Sequence, residues 1–292
     1  MDILVVHLFN ALLYASVLFL IAGGLSLIYG VMRIVNLAHG NLFAIGAFAT
    51  ASAVGQWFAG STSGWLFLLL PTGAIVAALI GAVLEPTLLR PFYRRPEEYQ
   101  LLVTFGLLYI LEDVMRFIWG PYPVSASVLF EKAGSLHVGE FVYPRYNLFV
   151  IAIGGLAALF LWAFIYRTKF GVVLRATSQD MRRASALGIN VNLVYVEAFT
   201  IGCFMAGLAG AVIVPSQSAV LGMGVDALVL SFIVVVIGGL GSLEGALVGA
   251  LIVGVIREIG ITVFPEIELA VLYLIAAGVL FIRPAGLFGR TA

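Results

Sequence analysis

Three clusters of polar side chains in this sequence are spaced so that they could do chemistry, and each allows two uses. In Asn36-Leu37-Ala38-His39-Gly40-Asn41, two amides and an imidazole stand where a helix should begin. Asn36 can cap that helix while His39 satisfies a backbone carbonyl. Alternatively, Asn36, His39 and Asn41 line the path of a polar solute, because polar groups in apolar spans usually face cavities. In Gly238-Gly239-Leu240-Gly241-Ser242-Leu243-Glu244-Gly245, the residues Gly238, Gly239, Gly241, Ser242 and Glu244 either expose polar groups to such a path or gate, or make a tight turn. The third cluster runs from Arg175 to Asn190.

None of the three resembles an active site. Lys132 is followed by Ala133 and Lys169 by Phe170, so neither lysine belongs to a GxxxxGK[ST] phosphate loop. HExxH, paired-cysteine metal spacing and a GxSxG elbow are missing as well. The expectation is a chain with no catalytic residues, no metal and no cofactor of its own, unable to hydrolyse ATP.

Thr177 and Asp180 read as a capping box, with the hydroxyl accepting from first-turn amides and the acid suiting the helix dipole. Gly188 fits the left-handed position that ends a helix. Between them a helix of roughly ten residues is expected, too short and too polar to cross a membrane. Helical spacing puts Arg175, Gln179, Arg182 and Arg183 on one face, and Met181, Ala184 and Gly188 on another. Such a helix suits a docking contact; it equally suits an interfacial helix whose arginines meet anionic lipid.

The elements that position these clusters must sit in lipid. Of 292 residues, 62% are hydrophobic and only 10% charged, against about 25% charged in ordinary globular chains. Mean hydropathy is +1.13. The net charge of zero gives no footprint for nucleic acid. Cys203 is the single cysteine, so no internal disulfide forms. Residues Met1 to Asn10 lack a basic signal-peptide n-region and read as part of the first span.

A spanning helix needs roughly 20 mostly apolar residues. The runs that qualify are Leu4–Tyr29, Leu37–Phe58, Trp65–Leu89, Gln100–Trp119, Asn147–Tyr166, Leu193–Pro215, Ala227–Leu240, Gly245–Phe264 and Leu269–Ile282. The fold expected is therefore all-α, a single polytopic transmembrane helix bundle over residues 1–292 with about nine segments. The seventh run is short and ends in glycines, so it is expected to be broken or re-entrant. Small-residue ladders at Gly73/Ala77/Gly81, Gly202/Ala206/Gly210 and Ala246/Ala250/Gly254 predict close helix packing.

Alternating spans put Arg33, Arg90, Arg94, Arg95, Arg167, Lys169, Arg175, Arg182, Arg183, Arg283 and Arg290 on one side, with only Lys132 and Arg145 in loops on the other. The positive-inside rule then places the N-terminus outside and the C-terminus in the cytoplasm. Trp57, Trp65, Trp119, Tyr122, Tyr143 and Tyr146 read as an outer aromatic belt, with Tyr93 and Tyr166 on the inner side. Within the spans, Glu112 and Asp113 are expected to neutralise Arg116, and Arg257 and Glu258 to form a structural ion pair. Glu85 calls for no special role. A weak echo links Asn36–Gly40 to Gly241–Gly245, both read as turns on the cytoplasmic side.

Four stretches together resemble one family. Arg175-Ala-Thr-Ser-Gln-Asp180, with Ala184 and Gly188 to Val191 behind it, resembles the coupling loop of permeases in branched-chain amino acid ABC importers. Gly24-Leu-Ser-Leu-Ile-Tyr-Gly30 through Asn36–Gly40, Gly238–Gly245, and Arg283-Pro-Ala-Gly-Leu-Phe-Gly289 resemble other parts of the same permeases, in order along essentially the whole chain. The likeness is closest to the LivH type. Arg182 and Arg183 stand where the broader EAA signature has Glu and Ala. The resemblance implies import of a small polar organic solute: a branched-chain or other amino acid, urea, an amide or an aromatic acid. It also implies a bacterial inner-membrane heterodimer with a second, homologous permease, two cytoplasmic ATPases that bind ATP and Mg, and a periplasmic solute-binding protein. Arg175, Thr177, Asp180, Arg182, Arg183, Ala184 and Gly188 would then form the ATPase-coupling helix within 175–190. The alternatives are an ion-driven secondary transporter using Glu112 or Glu197 as carriers, and a passive channel for urea-like solutes.

Overall fold

A computed structural model describes residues 2–56, 64–93, 95–138, 141–263 and 265–289. Trp57, Arg94, Arg290 and the terminal Met1 and Ala292, all used in the topology above, lie outside the described residues.

The chain is a helix bundle, as its composition requires. In order, the helices are α1 (Asp2–Met32), α2 (His39–Ala51), α3 (Pro71–Leu84), α4 (Glu97–Trp119), α5 (Ser127–Ala133), α6 (Arg145–Arg167), α7 (Lys169–Gln179), α8 (Met181–Ala186), α9 (Val191–Ile213), α10 (Met223–Gly238), α11 (Leu243–Val263) and α12 (Glu268–Ile282). A π-helical turn, Ser52–Gln56, extends α2. Another, Glu85–Leu89, extends α3 and closes with the Arg90 amide on the Glu85 carbonyl. Each of the nine apolar runs contains a helix, but among the described residues only five stretches are long and apolar enough to cross a membrane alone: Leu4–Met32, Gly64–Phe92, Arg145–Arg167, Val191–Ile213 and Leu243–Val263. The loop between α4 and α6 folds into α5 and a hairpin of β1 (Ser135–Val138) and β2 (Phe141–Pro144), antiparallel with Leu136 opposite Tyr143.

The ladders pack as their spacing predicts. A methyl group on Gly73 would sit 2.1 Å from the Gly46 carbonyl oxygen, and one on Gly210 would sit 2.0 Å from that of Phe43. A methyl on Gly254 would reach 2.6 Å from the Ala11 oxygen. Backbone-to-backbone contact thus joins α3 to α2, α2 to α9 and α1 to α11, the packing that lipid favours where apolar burial drives little association.

Two helices start inside the bundle. The His39 ring meets the Ile21 carbonyl, in the middle of α1, and the Asn41 amide donates to the Leu108 carbonyl, in the middle of α4. The second span is therefore a non-helical approach, residues 33–38, followed by a half-helix. The α10 helix also begins at depth, where Gly222 donates its amide to Glu112 Oε1 at 2.8 Å. The starts of α2 and α10 touch: a methyl on Gly40 would sit 1.9 Å from the Gly224 oxygen. At 16 residues, α10 is about 24 Å long and does not cross the hydrocarbon by itself. The echo between Asn36–Gly40 and Gly241–Gly245 is not a structural match, since the first lies mid-bundle and the second at the bundle's end.

Other expectations change. Tyr143 and Tyr146 are buried, not belt residues; Tyr146 donates to the Val212 carbonyl at 2.8 Å and Tyr143 to Asn10 at 3.2 Å. Arg116 lies 3.7 Å from Asp113 only, because Glu112 turns inward to the α10 start. Arg257 and Glu258 do not pair. Arg257 pairs with Glu268 at 2.9 Å and covers the Tyr14 ring, while Glu258 takes His7 at 2.7 Å and Asn10 at 3.1 Å. Adjacent residues on a helix point about 100° apart, so neighbours in sequence rarely face one another.

Candidate functional site

Two of the three polar clusters, Gly238–Gly245 and Arg175–Asn190, collect at one end of the bundle, the end that carries most of the arginines. Ser242 starts α11, its hydroxyl accepting from the Gly245 amide at 3.0 Å, and its carbonyl accepts from the Ser26 hydroxyl at 3.0 Å. Gly238 and Gly239 are buried beneath the C-terminal stretch. Leu287 donates to the Ile237 carbonyl and Phe288 to that of Gly238, each at 2.9 Å. Gly239 has φ +106 and Gly241 φ +78, values open to glycine without strain. The Gly24–Gly30, Gly238–Gly245 and Arg283–Gly289 motifs thus form one knot.

Beside the knot opens a cavity of about 920 Å³, lined by Arg33, Tyr166, Arg175, Gly241, Ser242 and Glu244 among others. Tyr166 donates to Glu244 at 2.5 Å, and Arg175 lies 5.2 Å over the Tyr166 ring while donating to the Ile165 carbonyl. Gly241, Ser242 and Glu244 therefore face a cavity; Gly238 and Gly239 do not. A second cavity, of about 1120 Å³, takes Arg33, Arg90, Tyr93, Thr177, Met181 and Tyr195 into its lining.

Between the cavities the 175–190 segment differs from the expected single helix. Thr168 caps α7 by accepting from the Gly171 amide, and Asp180 interrupts the run with φ −153 and ψ 99. Asp180 then caps α8, accepting at 3.0 Å from the amides of both Arg182 and Arg183 and pairing with the Arg183 guanidinium at 2.9 Å. The Arg183 amide chiefly, then that of Arg182, holds the Asp180 carboxyl below its ordinary value. Thr177 caps nothing. It is buried within α7 and donates back to the Val173 carbonyl at 2.9 Å. The break parts Arg175, which folds inward, from Arg182 and Arg183, which are exposed. Ala184 is buried, and Gly188 takes φ +85 after α8, the left-handed stop its type predicts.

Asn36, His39 and Asn41 are fully buried and belong to neither cavity. Asn36 Oδ1 accepts from the Ala38 amide at 3.1 Å, so it braces the approach to α2 instead of capping it. Thr104 donates to the Val35 carbonyl at 3.3 Å. These groups serve non-helical backbone at membrane depth, which is tolerated only where protein or water satisfies it. Asn36 Nδ2, His39 Nδ1 and Asn41 Oδ1 are left without partners in the chain alone.

Two features gave no signal that sequence reasoning used. Arg33 follows α1 with φ +55, the one non-glycine residue with positive φ among the described residues, and it lines both cavities. Glu85 is fully buried. Its carboxylate meets Arg90 Nη2 at 2.6 Å and accepts from Tyr93 Oη at 2.7 Å. Removing Arg90 would strand this buried carboxylate, a loss of about 3–5 kcal/mol. Burial first, then the Glu85 carboxylate, pushes the Tyr93 phenol well up, so it stays a donor. The clue was a Glu-Pro step followed by Arg at the fifth position, the spacing of a π-turn. Among the described residues no group of three His, Cys, Asp or Glu side chains could hold a metal ion.

The sequence is similar to known proteins along nearly its whole length. A family model described as branched-chain amino acid transport system / permease component matches residues 7–282. The high-affinity branched-chain amino acid transport system permease protein LivH of Escherichia coli (strain K12) is 28% identical, covering 97% of this chain and 95% of that protein. Its Pseudomonas aeruginosa counterpart BraD is 28% identical over the same shares, 97% and 95%. The ribose import permease protein RbsC of Escherichia coli (strain K12) is 25% identical over 86% of this chain and 77% of that protein. A solved structure, PsaBC from Streptococcus pneumoniae in complex with Fab, aligns over 94% of this chain and 89% of that one at 17% identity, with a TM-score of 0.46. The match along nearly the whole bundle means that this chain belongs to the branched-chain amino acid transport system permease component family.

Proposed function

We propose that this chain is one of two homologous permeases in an ATP-driven importer of a small polar organic solute, and that α7–α8 is where an ATPase docks. The observation that carries the reading is α8 itself: capped at Asp180, stopped at Gly188, and presenting Arg182 and Arg183 outward beside the second cavity. A short helix fixed at both ends keeps its shape under load, and two exposed guanidinium groups offer an acidic partner a specific grip.

In this reading the arginine-rich end is cytoplasmic, the N-terminus is outside and the C-terminus inside, as the positive-inside rule requires. ATP and Mg belong to two ATPase subunits, and a periplasmic binding protein delivers the solute. LivH and BraD are named for branched-chain amino acids, which makes these the first solutes to test, ahead of other amino acids, urea, amides and aromatic acids. Gly241, Ser242 and Glu244 flank the inner mouth of the path, and Asn36, His39 and Asn41, buried at mid-depth in this conformation, border it once the bundle opens. The secondary-transporter reading is weaker, because Glu112 Oε1 is committed to the Gly222 amide.

The test is co-expression with the ATPase subunits of a branched-chain amino acid importer from the same organism and reconstitution in vesicles. Arg182→Glu with Arg183→Glu should reduce ATPase co-purification and solute-stimulated hydrolysis while the permease still inserts. Should the double reversal leave both intact, α8 is a lipid-surface element. If no ATPase co-purifies with the parent chain and uptake follows a proton gradient, the importer reading is replaced.

A further inference from the structure

A chain of side-chain contacts leads from α8 into the bundle. Met181, at the start of α8, is half exposed, and its Sδ accepts from Tyr195 Oη at 3.1 Å. The Tyr195 ring, on α9, meets the Tyr93 ring edge-on, with centroids 5.4 Å apart and planes at 75°. Tyr93 Oη donates to Glu85 Oε1 at 2.7 Å. Glu85 lies in the π-turn that ends α3, and its other oxygen holds Arg90, which also reaches the Asn192 carbonyl at the start of α9. Beyond Glu85, α3 packs backbone-close on α2 and α9 at Gly73 and Ala77, and its Gly81 seats the Cys203 side chain of α9.

From this juxtaposition we propose that Glu85 is a positioning residue that transmits displacement of α8 to α3, through Tyr195 and Tyr93. The proposal rests on the docking role of α8 and adds the route by which docking moves the spans. Three physical features support it. A fully buried carboxylate is held from both oxygens, so it cannot slip without stranding its charge. The rings between it and α8 are rigid plates that pass on displacement. The π-turn is a register fault in α3 with one residue more per turn than its neighbours; such turns recur at functional sites, and this one can shift between packings while α3 stays folded. Simple structural glue would need only the Glu85–Arg90 pair; the aligned tyrosines and their surface contact at Met181 are what the relay adds.

The experiment measures solute taken up per ATP hydrolysed by the complete complex in vesicles, for the parent and for Glu85→Gln, Tyr93→Phe, Tyr195→Phe and Met181→Leu. ATPase co-purification is recorded for each. The expected result is normal co-purification with uptake per ATP reduced at least about fivefold in Glu85→Gln and Tyr93→Phe, the lower range of allosteric couplings. A smaller loss is expected in Tyr195→Phe and Met181→Leu. The losses should not add between Tyr93→Phe and Tyr195→Phe, because both cut one line. If Glu85→Gln does not assemble, Tyr195→Phe and Met181→Leu decide, since each keeps its packing and removes one surface contact. Parental uptake per ATP in every variant that assembles overturns the relay and leaves docking untouched. Failure of the parent to retain an ATPase overturns the docking reading and the relay with it.

Discussion

Gly30 and Gly241 touch backbone to backbone: a methyl on Gly30 would lie 3.0 Å from the Gly241 carbonyl oxygen, and one on Gly241 would lie 2.9 Å from the Gly30 Cα. This contact seats the end of α1 against the turn before α11, with the Ser26–Ser242 hydrogen bond beside it. Gly241→Ala must both push the chains apart and hold an alanine at φ +78. Overpacking costs about 1–3 kcal/mol, and a left-handed non-glycine about 1–2 kcal/mol more. Gly30→Ala carries only the first penalty. Thermal unfolding of the purified permease in detergent should rank the stabilities parent, Gly30→Ala, Gly241→Ala; equal midpoints for all three would contradict the close approach.

Asp180, not Thr177, caps the exposed helix, so Asp180→Ala should weaken ATPase docking more than Thr177→Ala, measured by co-purification. The cap also sets a pH dependence. A carboxyl held below its unfolded value of 3.8 contributes stability that is present above that value and lost as pH falls through the folded one. Docking should therefore loosen below about pH 4, and Asp180→Asn, which still caps but does not titrate, should flatten that loss. A larger effect from Thr177→Ala than from Asp180→Ala would restore the single-helix reading.

His39→Leu removes the contact with the Ile21 carbonyl at mid-bundle. If His39 borders the solute path, uptake should fall while complex yield and thermal midpoint hold within the roughly 1 kcal/mol of one hydrogen bond. Parental uptake in a well-expressed His39→Leu protein would leave these groups a purely structural role, serving the backbone before α2.

Orientation is tested with single cysteines in a Cys203→Ser background. Gln179, exposed at the arginine-rich end, should label only after the membrane is opened, and Tyr122, exposed beyond α4, from intact cells. The reverse pattern would invert the topology.

How far the sequence could be read differs from feature to feature. The apolar runs mark where helices lie because each backbone group in lipid needs an internal partner, so long apolar segments have little else to become. The ladders were equally readable, since a spacing of four admits one face. Which of two capping residues three positions apart is used was not readable. Thr177 and Asp180 are both competent, and the outcome turned on Thr177 being buried under the neighbouring helices, a tertiary fact. Asp113 does pair with Arg116, but the other expected ion pairs failed for the same reason. Glu112 and Glu258 were matched to neighbours along the chain, yet their partners, Gly222 and His7, lie 110 and 251 residues away. Within the candidate site, Gly241, Ser242 and Glu244 were readable as part of a group whose other members, Gly238 and Gly239, face away from the cavity, whereas Arg33 could emerge only from backbone geometry and Glu85 only from the Glu-Pro step ahead of Arg90.

The first helix, 31 residues without a proline, is about 46 Å long, well over the hydrocarbon thickness of about 30 Å. Near one end its neighbourhood includes the polar junction of His7 and Asn10 with Glu258; near the other, Ser26 and Gly30 hold the glycine turn. Its paired glycines, the natural place to flex, are splinted by Gly202, whose oxygen lies 2.5 Å from where a methyl on Gly24 would stand. The helix is thus clamped near each end and again about three quarters of the way along, at Gly24. It is a braced spar: a load at the arginine-rich end is carried along its length instead of being absorbed by a bend at the glycines.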